Sequence, residues 1–140
     1  MEVHADDVHA DGLRTTLRAL LFAAGAVCSV AAWADARLDA DMRTLATNSG
    51  CFICHHVETG AKGPHGMAPI GPNWEDVALR YRARKDDASE TLVKAVLDGS
   101  NAYSSHWTGK VSGMAMPPNA VAISEDDARR LVHWILALKK

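Results

Sequence analysis

The stretch CFICHH at residues 51–56 places two cysteines and two adjacent histidines within six residues. Three kinds of chemistry use such a motif: disulfide exchange, zinc binding and covalent attachment of a cofactor. A segment dense in glycine and proline, residues 57–73, follows directly. No regular helix or strand is expected to run through that density of breakers. The fold must therefore be organised around this motif and the loop that leaves it.

Residues 1–34 are typical of a secretory signal peptide. Two arginines precede an uncharged stretch, 19–34, that ends in small residues of the kind signal peptidase accepts. The stretch is shorter than the roughly 20 apolar residues of a membrane span. We expect cleavage after Ala34, with an uncleaved anchor as the alternative. Residues 1–12 are acidic, which fits a signal peptide poorly and favours a translation start near Leu13.

The predicted mature domain is 35–140. It carries equal numbers of acidic and basic residues, so nothing in its charge suggests nucleic acid. Cys51 and Cys54 are its only cysteines, because Cys28 lies in the signal peptide. In an exported protein this pair forms a disulfide, a metal site or a cofactor attachment.

The mature chain has an all-α pattern of about four helices joined by long loops. Apolar residues recur at helical spacing behind four candidate caps, Asp39, Asn73, Ser89 and Ser124. The four predicted buried faces are Leu38, Met42, Leu45 and Ala46; Trp74, Val77, Ala78 and Tyr81; Leu92, Val93, Val96 and Leu97; and Leu131, Trp134, Ile135 and Leu138. No window shows the sustained alternation of a strand. Structureless loops as long as 57–73 and 100–119 usually serve a site, and a buried cofactor would supply the missing apolar centre.

Cys51 to His55 matches the C-x-x-C-H pattern of c-type haem attachment. Each thiol adds across one haem vinyl group to form a thioether, and the histidine that follows becomes the proximal iron ligand. Attachment takes place outside the cytoplasm, which agrees with a signal peptide. The alternatives lack support: zinc needs two more ligands, and a thioredoxin-like site needs a βαβ context. A disulfide across two residues would add little stability.

Three separated segments resemble a small bacterial class I cytochrome c. They are GCFICH at 50–55, GPNWEDVA at 71–78 and MPPNAV at 116–121 before a terminal helix. The last two are similar to the monohaem cytochromes of denitrifying and related proteobacteria. The resemblance covers nearly all of 38–140. It implies an all-α class I cytochrome c fold around one covalently bound haem c.

The resemblance implies that Met116 is the sixth iron ligand. A thioether favours ferrous iron and raises the reduction potential. Two prolines with fixed φ follow Met116 and stiffen the loop. Met114 and Met67, each on a glycine-rich loop, are rival candidates.

The resemblance also implies that the Pro72 carbonyl accepts a hydrogen bond from Nδ1–H of His55. Pro64 is a competing candidate, because the segment between His55 and Pro72 is long. We interpret 61–68 as an insertion, and 104–113 as a second expanded loop.

Other side chains have more than one interpretation. Trp74 and Trp107 either line the haem pocket, or donate to a propionate, or pack in the core. His56 is expected to face solvent or a propionate, and His65 and His106 to lie on loop surfaces with iron ligation or partner contact as the alternative. The basic run of Arg80, Arg82, Arg84 and Lys85 is a solvated helix end or a docking patch for an acidic partner.

We expect a periplasmic protein that carries one electron between redox partner proteins and catalyses no bond chemistry, so it is not an enzyme. Contact with a membrane is expected only through partners or an uncleaved anchor. One alternative is a cytochrome c subunit of a larger periplasmic oxidoreductase complex. Another is a ligand-binding or peroxidatic haem protein, which requires an open sixth coordination position.

Overall fold

The computed structural model describes residues 33, 35–84, 87–101, 103 and 105–139. Apart from Trp33, the predicted signal peptide lies outside the described residues. The chain divides into two units, Met1–Asp39 and Ala40–Lys140, and the second contains the cysteine motif. Within the described ranges, no helix is both long and apolar enough to cross a membrane.

The described part of the chain contains four α-helices and no strand, which confirms the all-α prediction. Helix α1 covers 35–48. Helices α2, α3 and α4 cover Trp74–Tyr81, Ala88–Asp98 and Glu125–Ala137. Two short 3-10 turns occupy Cys51–Ile53 and Pro64–Gly66. The other described residues between the helices form the long loops expected from their glycine and proline content.

Two of the four predicted helix starts are wrong. Helix α1 is already formed at residue 35, so Asp39 lies inside it. Helix α3 begins at Ala88 with Asp87 at the N-cap position, so Ser89 lies in its first turn. No helix breaker stands directly upstream of either residue, so each helix extends towards the N-terminus. Acidic and small polar residues are tolerated in a first turn as well as at a cap.

The other two caps stand where they were predicted. Ser124 Oγ accepts a hydrogen bond from Asp127 N at 3.1 Å, as an N-cap residue should. Asn73 occupies the N-cap position of α2, but its side chain makes no capping bond. Its Nδ2 donates instead to the carbonyl of Ala61 at 3.3 Å. Its Oδ1 is buried without a hydrogen-bond partner in the described part of the chain.

Helix α4 is the centre of the packing, because it contacts both α2 and α3. The predicted face of α2 is buried throughout, whereas Leu38 in α1 is 49% exposed. Val132 is 1% exposed and was missed, because it lies beside the predicted stripe of α4. The buried cluster consists of Met42, Ala46, Cys51, Val57, Trp74, Val77, Tyr81, Ala88, Val93, Ile123, Ala128, Leu131, Val132, Trp134 and Ile135. Each fully buried aliphatic side chain contributes roughly 1.5–3 kcal/mol.

One arginine side chain connects the C-terminal ends of α2 and α4. The guanidinium of Arg82, just after α2, donates to the carbonyls of Leu136 and Leu138. Leu136 lies in the last turn of α4 and Leu138 is its C-cap, where the helix itself leaves carbonyls unpaired. Arg80 and Arg84 of the same basic run are exposed. The run is therefore part structural and part solvated, and Lys85 lies outside the described residues.

Candidate cofactor site

A tight turn presents the cysteine motif at the end of α1. Gly50 adopts the left-handed conformation at φ 74°, which a glycine reaches without strain and which ends the helix as predicted. The chain then closes the turn Cys51–Ile53, and the backbone N–H of His55 donates to the carbonyl of Cys51 at 3.0 Å. Cys51 is buried, and burial raises the pKa of its thiol. Neither cysteine is in a disulfide.

The imidazole of His55 is held on three sides. Its Nδ1 lies 2.8 Å from the carbonyl oxygen of Pro72. Its ring stacks on Trp74 with centroids 5.7 Å apart and planes 25° apart. On the third side is Gly71, where an added Cβ would lie only 2.6 Å from Cε1 of the ring. These contacts leave the ring one orientation.

The bond to Pro72 also selects the chemical form of His55. A carbonyl oxygen only accepts, so Nδ1 carries the hydrogen and Nε2 keeps its lone pair. Burial lowers the pKa of His55, against the hydrogen bond to Pro72, and the neighbouring His56 lowers it further. The neutral imidazole is thus favoured, which is the form that binds a metal ion.

Backbone hydrogen bonds join the motif to the segment that begins at Gly71. Gly71 N donates to Cys54 O at 2.7 Å, and Trp74 N donates to His56 O at 2.9 Å. The loop between them closes on itself, with Gly63 N donating to Met67 O at 3.0 Å. After this loop the chain returns so that the carbonyl of Pro72, rather than that of Pro64, faces His55.

A cavity of about 550 Å³ opens in front of His55. Its volume is in the range of roughly 300–1,000 Å³ that is typical of cofactor sites. The predicted site residues that line it are Cys54, His55, Pro72, Trp74, Trp107, Met114 and Met116. Cys51 is buried in the turn that leads to the cavity. Met67 is not among the described residues of the lining and is 60% exposed.

Met116 is positioned by the end of α3. Ser100 N donates to the carbonyl of Met116 at 2.9 Å. Gly99, at φ 84°, permits this approach, because a Cβ there would lie 2.6 Å from the same carbonyl. Asn119 N also donates to Leu97 O at 3.1 Å, so the segment is bound to α3 on both sides of the two prolines. Met116 is half-buried, whereas Met114 is 63% exposed.

The two expanded loops meet beside the cavity. Ser112 N donates to the carbonyl of Pro69 at 2.9 Å, which joins the second loop to the first. Trp107 is half-buried behind this contact. His65 and His106 are exposed, as predicted, but His106 also lines the cavity, with its ring centroid 6.2 Å from that of Tyr81.

Sequence reasoning missed Gly71 as a site residue. Its signal was its place at the start of the GPNWEDVA segment, directly before Pro72. Gly99 was predicted as a helix stop, and its contact with Met116 was not foreseen.

The donor set suits haem better than zinc. A neutral imidazole, a thioether and Cys54 line one largely apolar cavity, and the second thiol of the motif is adjacent to it. Among the described residues, no group of three or more histidine, cysteine or carboxylate side chains could hold a metal ion. A tetrahedral zinc site therefore has too few ligands here.

Comparison with known proteins agrees with haem rather than zinc at this site. The family model for cytochrome c matches residues 40–139. Cytochrome c-552 of Nitrosomonas europaea is 40% identical over 84% of this chain and 92% of its own length. Cytochrome c-551 of Pseudomonas aeruginosa is 32% identical over 85% of this chain and 92% of its own length. The crystal structure of wild-type cytochrome c552 of Nitrosomonas europaea aligns with a TM-score of 0.51 at 37% identity, covering 69% of this chain and 99% of that one.

Proposed function

Because the chain belongs to the cytochrome c family, we propose that it carries one electron at a time between proteins through a haem ligated by His55 and Met116. As a family member it binds one covalently attached haem c and transfers electrons. The observation that carries the ligand proposal is the cavity in front of His55, which has Met116 in its wall. When bound, the haem supplies a one-electron iron couple.

The thiols of Cys51 and Cys54 would hold the haem through thioether bonds. Nε2 of His55 would ligate the iron, and the carbonyl of Pro72 holds Nδ1–H so that the ring cannot rotate away. The sulfur of Met116 would be the second ligand, on a segment that the end of α3 holds in place. Trp74 and Trp107 wall the cavity and exclude water from it.

With His55 and Met116 as its ligands, the iron would have no open position for a substrate. A rigid, closed site changes oxidation state without binding a substrate, so the chain catalyses no bond chemistry of its own. Residues 1–34 export the chain to the periplasm, where the thioether bonds form, and residues 35–140 are the cytochrome domain. This export proposal is supported by Arg14 and Arg18, which precede the uncharged stretch 19–34.

The ligand assignment is tested by truncating the three candidate methionines one at a time. The ferric holoprotein is expected to show the far-red absorption band of methionine–iron ligation. Met116→Ala should abolish the band and open the ferrous iron to carbon monoxide. Met114→Ala and Met67→Ala are matched controls that should keep the band and exclude carbon monoxide. A band that survives in Met116→Ala, or one that Met114→Ala abolishes, would overturn the assignment.

A further inference from the structure

A second cleft of about 630 Å³ lies next to the cofactor cavity. It is formed by the first expanded loop, the exposed side of α2 and the second expanded loop. Lys62, Arg80 and Lys110 contribute its charged lining, and Leu79 and Trp107 contribute apolar surface. The cleft therefore depends on residues far apart in the chain, and three of the five named here, Lys62, Trp107 and Lys110, lie in the two expanded loops.

The charge of this cleft is unbalanced. Asp76 is the only carboxylate among its described lining residues, and its Oδ1 accepts a hydrogen bond from Thr59 Oγ1 at 2.9 Å. Within the described residues, none of Lys62, Arg80 and Lys110 forms an ion pair. Lys110 Nζ lies 5.8 Å from the centroid of the Trp107 ring, which keeps this cation over the cleft wall. Three cations against this one carboxylate make the cleft a site of positive potential.

The cleft and the cofactor cavity share a wall. Pro72, Trp107 and Val111 line both. A group bound in the cleft is thus separated from the cofactor cavity by a single layer of side chains. The same wall is fixed by the hydrogen bond from Ser112 N to Pro69 O.

We propose that this cleft receives an acidic segment of a redox partner protein. The proposal rests on the electron-transfer function above and names the surface through which a partner approaches the haem. Carboxylates of the segment pair with the three cations, and an apolar side chain covers Leu79, which is 49% exposed, beside Trp107. A small inorganic anion would meet the cations but would leave this apolar wall uncovered. Complementary charge of this kind chiefly accelerates encounter and is weakened by salt.

The test uses the isotope-labelled ferrous holoprotein and nuclear magnetic resonance at low ionic strength. The probe is a capped peptide of alternating glutamate and leucine. It should shift the signals of Lys62, Arg80, Trp107 and Lys110, and the shifts should vanish with added salt. Inorganic phosphate and vesicles of anionic phosphatidylglycerol serve as parallel probes. Either of them producing the same shifts would overturn the choice of a protein segment as occupant.

Charge reversal provides the matched comparison. Lys62→Glu and Lys110→Glu should each weaken peptide binding by about five- to tenfold, since each removes one exposed ion pair and adds a like-charge contact. Lys139→Glu makes the same change in net charge at an exposed residue outside the cleft and should have little effect. Equal weakening by Lys139→Glu would show non-specific attraction and overturn the proposal. So would a holoprotein that binds no peptide, as expected if the haem's own propionates neutralise these cations.

The same samples report on the haem independently. A retained ferric methionine–iron band together with absent peptide shifts would reject the cleft proposal and leave the proposed function standing. Loss of that band in the parent protein would instead reject the ligand assignment. Unchanged absorption spectra in the lysine variants would exclude misfolding as the cause of weaker binding.

Discussion

Gly71→Ala is the substitution with the clearest structural consequence. A Cβ at this position would lie 2.6 Å from Cε1, 2.9 Å from Nδ1 and 3.0 Å from Nε2 of His55. Ordinary contacts of a Cβ are about 1 Å longer. The backbone of Gly71 cannot easily retreat, because its N–H donates to Cys54 O at 2.7 Å. The strain therefore falls on the imidazole ring.

A ring that moves away from Gly71 weakens its bond to Pro72. The Nδ1–O distance is 2.8 Å, and a shift of about 0.5–1 Å takes it beyond the usual limit near 3.2 Å. Overpacking of this kind costs about 1–3 kcal/mol, and the lost hydrogen bond about 1 kcal/mol. We expect the free energy of unfolding of the holoprotein to fall by about 2–4 kcal/mol, measured by guanidinium titration. The Nδ1 proton of His55 should also exchange faster in nuclear magnetic resonance spectra.

The direction in which Gly71→Ala changes the free energy of unfolding shows whether the added Cβ clashes with His55. Gly71 is not among the described glycines with positive φ, so alanine fits its backbone. Without the clash, Gly71→Ala would stabilise the protein by about 0.4–1 kcal/mol by restricting the unfolded chain. A variant as stable as the parent, with an unchanged His55 proton, would refute the reasoning. Gly60→Ala is the control: its φ is 84° with nothing within 4 Å of the added Cβ, so it should cost about 1–2 kcal/mol and leave the His55 proton unchanged.

Two further predictions concern the helices. Ser124→Ala should lower the free energy of unfolding by about 1 kcal/mol, because it removes the N-cap bond to Asp127. Ser89→Ala lies inside the first turn of α3 and should be neutral or slightly stabilising in the same denaturant titration. Equal losses in the two variants would contradict the cap positions. The hydrogen bond from Arg129 holds the pKa of Glu90 below its ordinary value. Its contribution to stability is then present above about pH 4.3 and is lost as the pH falls through the lowered pKa. The stability difference between the parent and Glu90→Gln should accordingly be present at pH 7 and shrink as the pH falls below about 4.3 in urea titrations. A difference independent of pH would contradict the ion pair.

The helices were predictable to different degrees. The buried face of α2 and the Ser124 cap of α4 were both anticipated, because each depends on residues within one or two turns. The starts at Asp39 and Ser89 were wrong, because a residue type that caps a helix is also accepted in its first turn. Local sequence does not distinguish the two when no breaker stands upstream.

The choice between Met114 and Met116 could not be made from local sequence. Met114 and Met116 stand two residues apart on an irregular loop, where no periodicity says which one turns inward. The structure separates them through hydrogen bonds made by the end of α3, which hold the carbonyl of Met116 and leave Met116 half-buried. Those partners lie some sixteen residues earlier in the chain.

By itself, the sequence determined the attachment motif and the four-helix pattern. These features follow from residue types at short spacing, which local chemistry and helical periodicity constrain. Only the tertiary structure decided the close contact of Gly71 with His55, the burial of Met116 over Met114, and the cleft where Lys62 and Lys110 meet. Each of these depends on how long irregular loops close. That closure is set by hydrogen bonds and packing between segments remote in sequence, which no local pattern encodes.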